Sequence, residues 1–212
     1  MKGARAPAPR LSAAERRRQL FSVALSLFAE RGYAATTMEE IADAAGVTKP
    51  LLYQHFSSKR SLYAELVDSV AGEMLDAVGA ATAAAAGPRE QVEDGFAAYF
   101  TMVVTHETAF RLLYARTHPG DEELNGALAR VEDAMAEAID PLIAAGLEPE
   151  HRRVLAYALV GMAESVSRQW LGATAAPHVA RGWPTRDRAE AQRMARRLGN
   201  LAWAGLRSVH PD

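Results

Sequence analysis

The chain has 212 residues, of which 49% are hydrophobic and none is cysteine. That composition predicts a globular fold and excludes disulfides, thiolate zinc sites and cysteine nucleophiles. The formal net charge is −2, but residues 1–60 hold ten Lys/Arg against five Asp/Glu, and residues 61–212 hold fourteen against twenty-one. A basic N-terminal region followed by an acidic remainder is expected of a protein whose N-terminal region contacts a polyanion, although a solvated basic surface would give the same counts.

No apolar run approaches the roughly 20 residues of a membrane helix, so no membrane partner is expected. The opening residues, MKGARAPAPR, lack the apolar segment of a secretory signal, and we therefore expect a cytoplasmic protein. Residues 1–11 are expected to form a disordered basic tail, with a basic arm that contacts DNA as the alternative.

Helix-forming residues dominate and no sustained period-two alternation occurs, which predicts an all-α fold of about nine helices. A capping box of Ser12 and Glu15 begins the first helix, which ends at Arg31. The second helix begins within TTMEE, where Thr36 with Glu39 and Thr37 with Glu40 fit a capping box equally well.

Residues 45–59, AGVTKPLLYQHFSSK, predict a short third helix. Thr48 is its expected N-cap, and Pro50 is tolerated in the first turn because that turn's N–H groups lack helical partners. Leu52 and Phe56 lie four residues apart and should anchor one face, assisted by Val47. The other face is left outward, and two helices joined by a tight glycine turn form a helix-turn-helix.

Ser57 or Ser58 should cap a long helix from about Lys59 to Ala86. We expect Pro141 to kink or end the third of the helices that follow. Their predicted ranges are 89–107, 108–117, 121–145, 149–172 and 187–208. These elements divide the chain into a helix-turn-helix domain at 12–58 and a larger helical domain at 59–212.

Residues 17–66 closely resemble the N-terminal domain of the TetR family of transcriptional regulators. The matching pieces are LF-x2-AL-x-LFAERGY, TTMEEIADAAGV and LYQHFSSK. The resemblance implies a homodimer whose two N-terminal domains bind a palindromic operator in double-stranded DNA. It also implies a C-terminal domain that binds a small-molecule effector and dimerises, most often in a repressor that the effector releases from DNA.

The resemblance assigns the site residues by motif position. Phosphate contacts fall on Thr37, Tyr53, His55 and Lys59. The base-facing surface falls on Thr48, Lys49, Leu51 and Gln54, with Pro50 where the family approaches DNA closely. For three of them another role stays open: Tyr53 as an ordinary half-exposed aromatic, His55 bonded to its neighbours, and Leu51 in the core.

In the C-terminal domain, residues 96–114 combine many aromatic residues with a few polar ones, as ligand sites do. The candidate ligand-binding residues are Phe96, Tyr99, Phe100, Val103, His106, Phe110, Tyr114 and Met162, and filling a core is the alternative for each. The last two long helices carry the expected dimer surface, although their apolar stripes would also suit inward packing. Its candidate residues are Leu155, Leu159, Val166, Met194, Leu198 and Leu201.

Catalytic motifs are missing from the sequence. His106-Glu107 lacks the second histidine of a metalloprotease helix, and neither a phosphate-binding glycine loop nor a nucleophile elbow occurs. We therefore predict a regulator without catalytic residues, metal or cofactor. The alternative is a helical small-molecule-binding or enzymatic protein whose helix-turn-helix no longer engages DNA.

Overall fold

The structure, a computed structural model, describes residues 11–113, 122–143, 146–172 and 185–210. Within these ranges all regular structure is helical, as predicted. The helices are α1 Ala13–Arg31, α2 Met38–Ala44, α3 Lys49–His55, α4 Lys59–Ala84, α5 Pro88–Thr105, α6 Glu107–Leu113, α7 Glu122–Ile139, α8 Pro149–Gly172 and α9 Arg188–Leu206. Tyr114 and the expected tail up to residue 10 lie outside the described residues. So do residues 173–184, which belong to the segment between the last two predicted helices.

The chain divides into two compact units, Met1–Tyr63 and Ala64–Asp212. The first unit holds α1, α2, α3 and the start of α4, and the second holds the rest of α4 and the helices that follow it. In the described part of the chain, no helix combines the length and the apolar character that a membrane crossing needs.

The helix caps of the first unit follow the predicted pattern. Ser12 and Glu15 exchange both capping bonds at the start of α1, at 3.2 and 2.8 Å. Of the two candidate boxes before α2, Thr37 with Glu40 forms. Thr36 is instead fully buried, and its hydroxyl donates to the carbonyl oxygens of Leu27 and Gly32.

The third helix is held as its apolar residues predict. Leu52 and Phe56 retain 0% and 1% of their surface exposed. The Phe56 ring lies 5.2 Å from the ring of Phe21, and the guanidinium of Arg17 lies 4.5 Å above it. The tight turn before α3 requires the left-handed backbone of Gly46, whose φ is +66°, a conformation that glycine adopts without steric cost.

In the second unit, Pro141 marks the end of a helix, one of the two outcomes that the sequence predicts. Helix α7 stops at Ile139, and a single 3₁₀ turn over Asp140–Leu142 contains Pro141. Helix α9 packs mainly along α5. Gly199 lies at this contact, where a Cβ would meet the Glu93 Cα at an ordinary van der Waals distance of 3.5 Å.

Candidate DNA-binding surface and ligand cavity

The outward face of α3 is free of core packing. Thr48, Lys49, Pro50, Tyr53 and Gln54 are exposed, and Tyr53 keeps 44% of its surface accessible. Thr48 occupies the N-cap position, as predicted, but its hydroxyl makes no capping hydrogen bond. The face therefore presents hydroxyl, ammonium and amide groups, which suit phosphates and the major-groove edges of bases.

Two residues at the edge of this face are only half exposed. Leu51 and His55 are intermediate in burial. The His55 carbonyl oxygen accepts a 3.1 Å bond from Nη1 of Arg17, which secures the C-terminal end of α3 to α1. The alternatives for Leu51 and His55 therefore stay open.

The ammonium of Lys49 lies 3.6 Å from Oε2 of Glu39, and both side chains are more than half exposed. An exposed pair at that distance contributes about 0–1 kcal/mol and is weakened by salt. A stronger anion, such as a DNA phosphate, or a guanine edge can therefore replace Glu39.

Thr37 is already engaged at the start of α2. Its N–H and its hydroxyl both donate to Oε2 of Glu40, at 2.8 and 3.0 Å. These bonds hold the pKa of the Glu40 carboxyl below its usual value, the backbone bond more than the side-chain one. A phosphate contact by Thr37, which stays a prediction, would have to share or exchange these bonds.

Lys59 is turned towards its own unit. Its Nζ donates to the carbonyl oxygens of Tyr33 and Thr36 at 2.8 Å each and lies 4.4 Å from the centroid of the Tyr33 ring. Burial lowers the pKa of this ammonium, and the charge of Glu40 opposes that shift. The ammonium thus ties the start of α4 to the segment between α1 and α2. Its expected phosphate contact stays a prediction, beside this structural role.

The second unit contains a cavity of about 90 Å³ that is partly open to solvent. Helix α4 contributes Met74 and Val78, α7 contributes Met135 and Ile139, and α8 contributes Val160. The walls are therefore mostly apolar.

Polar groups reach the cavity at few places. From α4 and α5 come the Thr82 hydroxyl, which donates to the Val78 carbonyl oxygen at 3.0 Å, the Gln91 amide and the Tyr99 phenol. From α8 comes Glu164, the one carboxyl among the described lining residues. Few polar groups are therefore available in this cavity.

Glu164 is largely withdrawn from water, with 17% of its side chain exposed. Its carboxyl faces the carboxyl of Glu132 on α7 and lies 3.9 Å from Nη2 of Arg168. Burial and then the charge of Glu132 raise the pKa of Glu164 to about 7, and Arg168 offsets only part of that rise. Glu164 therefore exchanges a proton near neutral pH.

The residues predicted to bind ligand are distributed over several places. Phe96 and Tyr99 line the cavity. Phe100, Val103 and Phe110 are buried but are not part of its lining. His106 is exposed and Met162 is half buried; both also lie outside the lining.

The sequence analysis did not predict that α4 lines the cavity or that Glu164 belongs to its lining. The apolar stripe of α4 was visible in the sequence, but a stripe alone does not distinguish a cavity wall from a filled core. A glutamate among Met162, Ala163 and Val166 was the available signal for Glu164.

The candidate dimer residues are also placed differently from one another. Leu201 of α9 is exposed by 61%, whereas Met194 is buried. Leu155, Leu159, Val166 and Leu198 are half buried, and Leu159 lines the cavity. Val154 of α8, absent from the expectation, is exposed by 62%. The accessible apolar residues of α8 and α9 therefore form a smaller set than the stripes predict.

The described residues include no group of three or more histidine and acidic side chains that could hold a metal ion.

Comparison with known proteins assigns the family. Residues 20–66 match the family profile of bacterial regulatory proteins of the tetR family. Residues 88–205 match the profile of the tetracyclin repressor-like C-terminal domain. The chain therefore belongs to the tetR family of bacterial regulatory proteins.

Individual relatives agree with this assignment. The HTH-type transcriptional activator FasR of Mycolicibacterium smegmatis is 33% identical over 164 residues, which cover 76% of this chain and 75% of FasR. The repressor KstR2 of Rhodococcus jostii is 52% identical over 52 residues, only 24% of this chain and 26% of KstR2.

A solved structure shares the fold. The regulator FadR of Bacillus subtilis, in complex with stearoyl-CoA, superposes with a TM-score of 0.70 at 14% identity, covering 91% of this chain and 99% of FadR. The chain is a DNA-binding transcriptional regulator of the tetR family, a family whose members are not enzymes. The enzymatic alternative is therefore not favoured.

Proposed function

We propose that this chain is a homodimeric repressor that binds a palindromic operator through the outward face of α3 and leaves it when an apolar small molecule enters the cavity of the second unit. The exposed α3 face carries the proposal, since Tyr53 and Gln54 are accessible while Leu52 and Phe56 hold the helix in place. Action on chromosomal DNA implies a cytoplasmic protein.

The proposed contacts follow from chemistry at each position. Gln54 has the amide geometry for a bidentate bond to adenine, and Lys49 can donate to guanine. Thr48 and Tyr53 offer hydroxyl groups that are accessible to solvent. Pro50 is exposed in the first turn of α3, where its compact ring permits close approach to DNA.

The apolar cavity and the exposed apolar residues of α8 and α9 support the other two parts of the proposal. An acyl ligand, stearoyl-CoA, is bound by a protein of the same fold, and the cavity here offers mostly hydrocarbon walls. Val154 and Leu201 expose apolar surface that a second copy of the chain would cover. Repression rather than activation follows the habit of the family, and relatives of both kinds exist.

The direct test measures binding of the full-length protein to the DNA that flanks its own gene, by fluorescence anisotropy at several salt concentrations. We expect the affinity to fall steeply with salt, because neutralised phosphates release their counterions. Gln54→Ala should relax the preference at one base position. Gln192→Ala, an exposed glutamine of α9, is the matched control and should leave binding unchanged. Absent or salt-insensitive binding by the wild type would refute the proposal.

A further inference from the structure

The charge distribution around the cavity is one-sided. Glu164 is the only lining residue in the described part of the chain with an acidic or basic side chain. Glu132 approaches it from α7 and Arg168 from its own helix. The lining residues of α4, α5 and α9 bring no charged group, and Tyr99 brings the one further titratable group. Two carboxyls thus lie close together, and one guanidinium lies near Glu164.

We propose that the cavity takes apolar ligands whose polar end is uncharged or positively charged, that it rejects the matching carboxylates, and that Glu164 is the residue that discriminates. The inference rests on the proposed function only in taking this cavity as the effector site.

The physical reason is the cost of placing charge in an apolar enclosure. A carboxylate ligand beside Glu164 would add a negative charge where the carboxyls of Glu164 and Glu132 already lie together, and no lining cation is present in the described residues to balance it. A hydroxyl or amine donates to Glu164 instead, and an uncharged carbonyl accepts from its protonated form. A positively charged ligand end pairs with the ionised carboxylate of Glu164, so it takes the place of the proton that this carboxyl otherwise retains.

The test uses isothermal titration calorimetry of the full-length protein with three probes of equal chain length: decyltrimethylammonium, decanol and decanoate. The two ionic probes are kept below their micelle concentrations and decanol below its solubility limit. At about pH 8, where Glu164 is mostly ionised, decanoate should bind at least about tenfold more weakly than decanol. Decyltrimethylammonium should bind at least as tightly as decanol. At about pH 6, the difference between decanoate and decanol should shrink, because Glu164 gains its proton.

Glu164→Gln keeps the size of the side chain and removes its charge. It should bring decanoate and decanol within about threefold of each other at both pH values. Glu150→Gln is the matched control, since Glu150 is a glutamate of the same helix, is exposed and does not line the cavity. It should retain the wild-type discrimination.

A second variant keeps the proposal testable if Glu164→Gln folds poorly. Glu132→Gln leaves every lining residue in place and removes the neighbouring negative charge. Glu164 then ionises at lower pH, so the pH at which decanoate begins to be rejected should fall.

Three results would overturn the inference: decanoate bound as tightly as decanol by the wild type at about pH 8, equal effects of Glu164→Gln and Glu150→Gln, or no binding of any probe. These titrations contain no DNA. If discrimination is observed but no probe alters operator binding, the inference stands and the effector part of the proposed function fails.

Discussion

Replacing Lys59 by alanine separates a structural lysine from one that contacts phosphate. In the structure its Nζ makes two 2.8 Å bonds to the carbonyl oxygens of Tyr33 and Thr36 and lies against the Tyr33 ring. Each hydrogen bond to a charged group contributes about 1.5–3 kcal/mol, and the cation–π contact about 0.5–1 kcal/mol. Because the ammonium is partly solvated, we expect Lys59→Ala to destabilise the first unit by about 2–4 kcal/mol.

Hydrogen exchange of the full-length protein, read by mass spectrometry on peptides from α1 to α3, measures this loss directly. Tryptophan fluorescence would not, because all three tryptophans lie at or beyond residue 170. The opening free energy of the α1–α3 peptides should fall in Lys59→Ala, whereas peptides of α5 and α9 stay unchanged. Lys49→Ala is the control, since Lys49 makes only an exposed ion pair, and it should lower protection by less than about 0.5 kcal/mol.

The salt dependence of operator binding distinguishes the two roles of Lys59. A lost phosphate contact lowers the slope of log K against log salt by about 0.9 for each contact. A purely structural lysine leaves that slope unchanged and reduces the affinity through the destabilised unit. Unchanged hydrogen exchange together with a reduced slope would refute the structural reasoning and favour the phosphate contact.

Three further predictions follow from the same geometry. Gln54→Ala should reduce the binding free energy for the preferred base at one operator position by about 1–3 kcal/mol, whereas Tyr53→Ala should weaken binding to all sequences alike. Binding-site selection with each variant measures these preferences. A uniform loss of affinity for Gln54→Ala would contradict the prediction. Burial holds the pKa of Glu164 at about 7, above the unfolded value of about 4.3, so its ionisation destabilises the fold as pH rises from about 4.5 through about 7. We therefore compare the free energy of unfolding of Glu164→Gln with that of the wild type at two pH values. The difference in favour of the variant should be roughly 1–3 kcal/mol larger at about pH 8 than at about pH 5. Chemical denaturation that shows no such increase would contradict the burial of this carboxyl. Leu201→Glu should raise the dimer dissociation constant at least about tenfold by sedimentation velocity; an equal effect of Asn200→Glu would argue against a specific contact.

The first unit was readable from the sequence because its determinants are local. The capping boxes join residues three positions apart, and the turn before α3 needs the one residue type that adopts positive φ freely. Leu52 and Phe56 lie four residues apart, so they share one face of any helix that contains both. The choice between Thr36 and Thr37 was not local, since it depends on the core contacts that enclose Thr36.

The cavity was only partly readable because its lining depends on how helices pack. Phe96, Phe100 and Val103 all belong to the buried face of α5. Phe96 lines the cavity, whereas the Phe100 ring lies 6.3 Å from that of Trp170. Sequence spacing assigns such residues to one broad face and does not say which part of the face meets empty space.

The contacts of Lys59, a charged residue, also could not be predicted from sequence spacing. The family resemblance implied a phosphate contact at Lys59. A long flexible stem also lets the ammonium reach carbonyl oxygens 23 and 26 residues earlier in the chain. That choice depends on tertiary structure, which residue spacing does not encode.

Site-specific photo-crosslinking tests most directly whether the outward face of α3 reads DNA. A photoreactive amino acid would replace Gln54 in one variant and Glu137, an exposed residue of α7, in another. Each variant would be irradiated on the operator fragment. We predict that the variant at position 54 crosslinks to operator bases and loses the crosslink at high salt, while the variant at position 137 does not crosslink. An operator complex that forms normally but never crosslinks through position 54 would contradict the account.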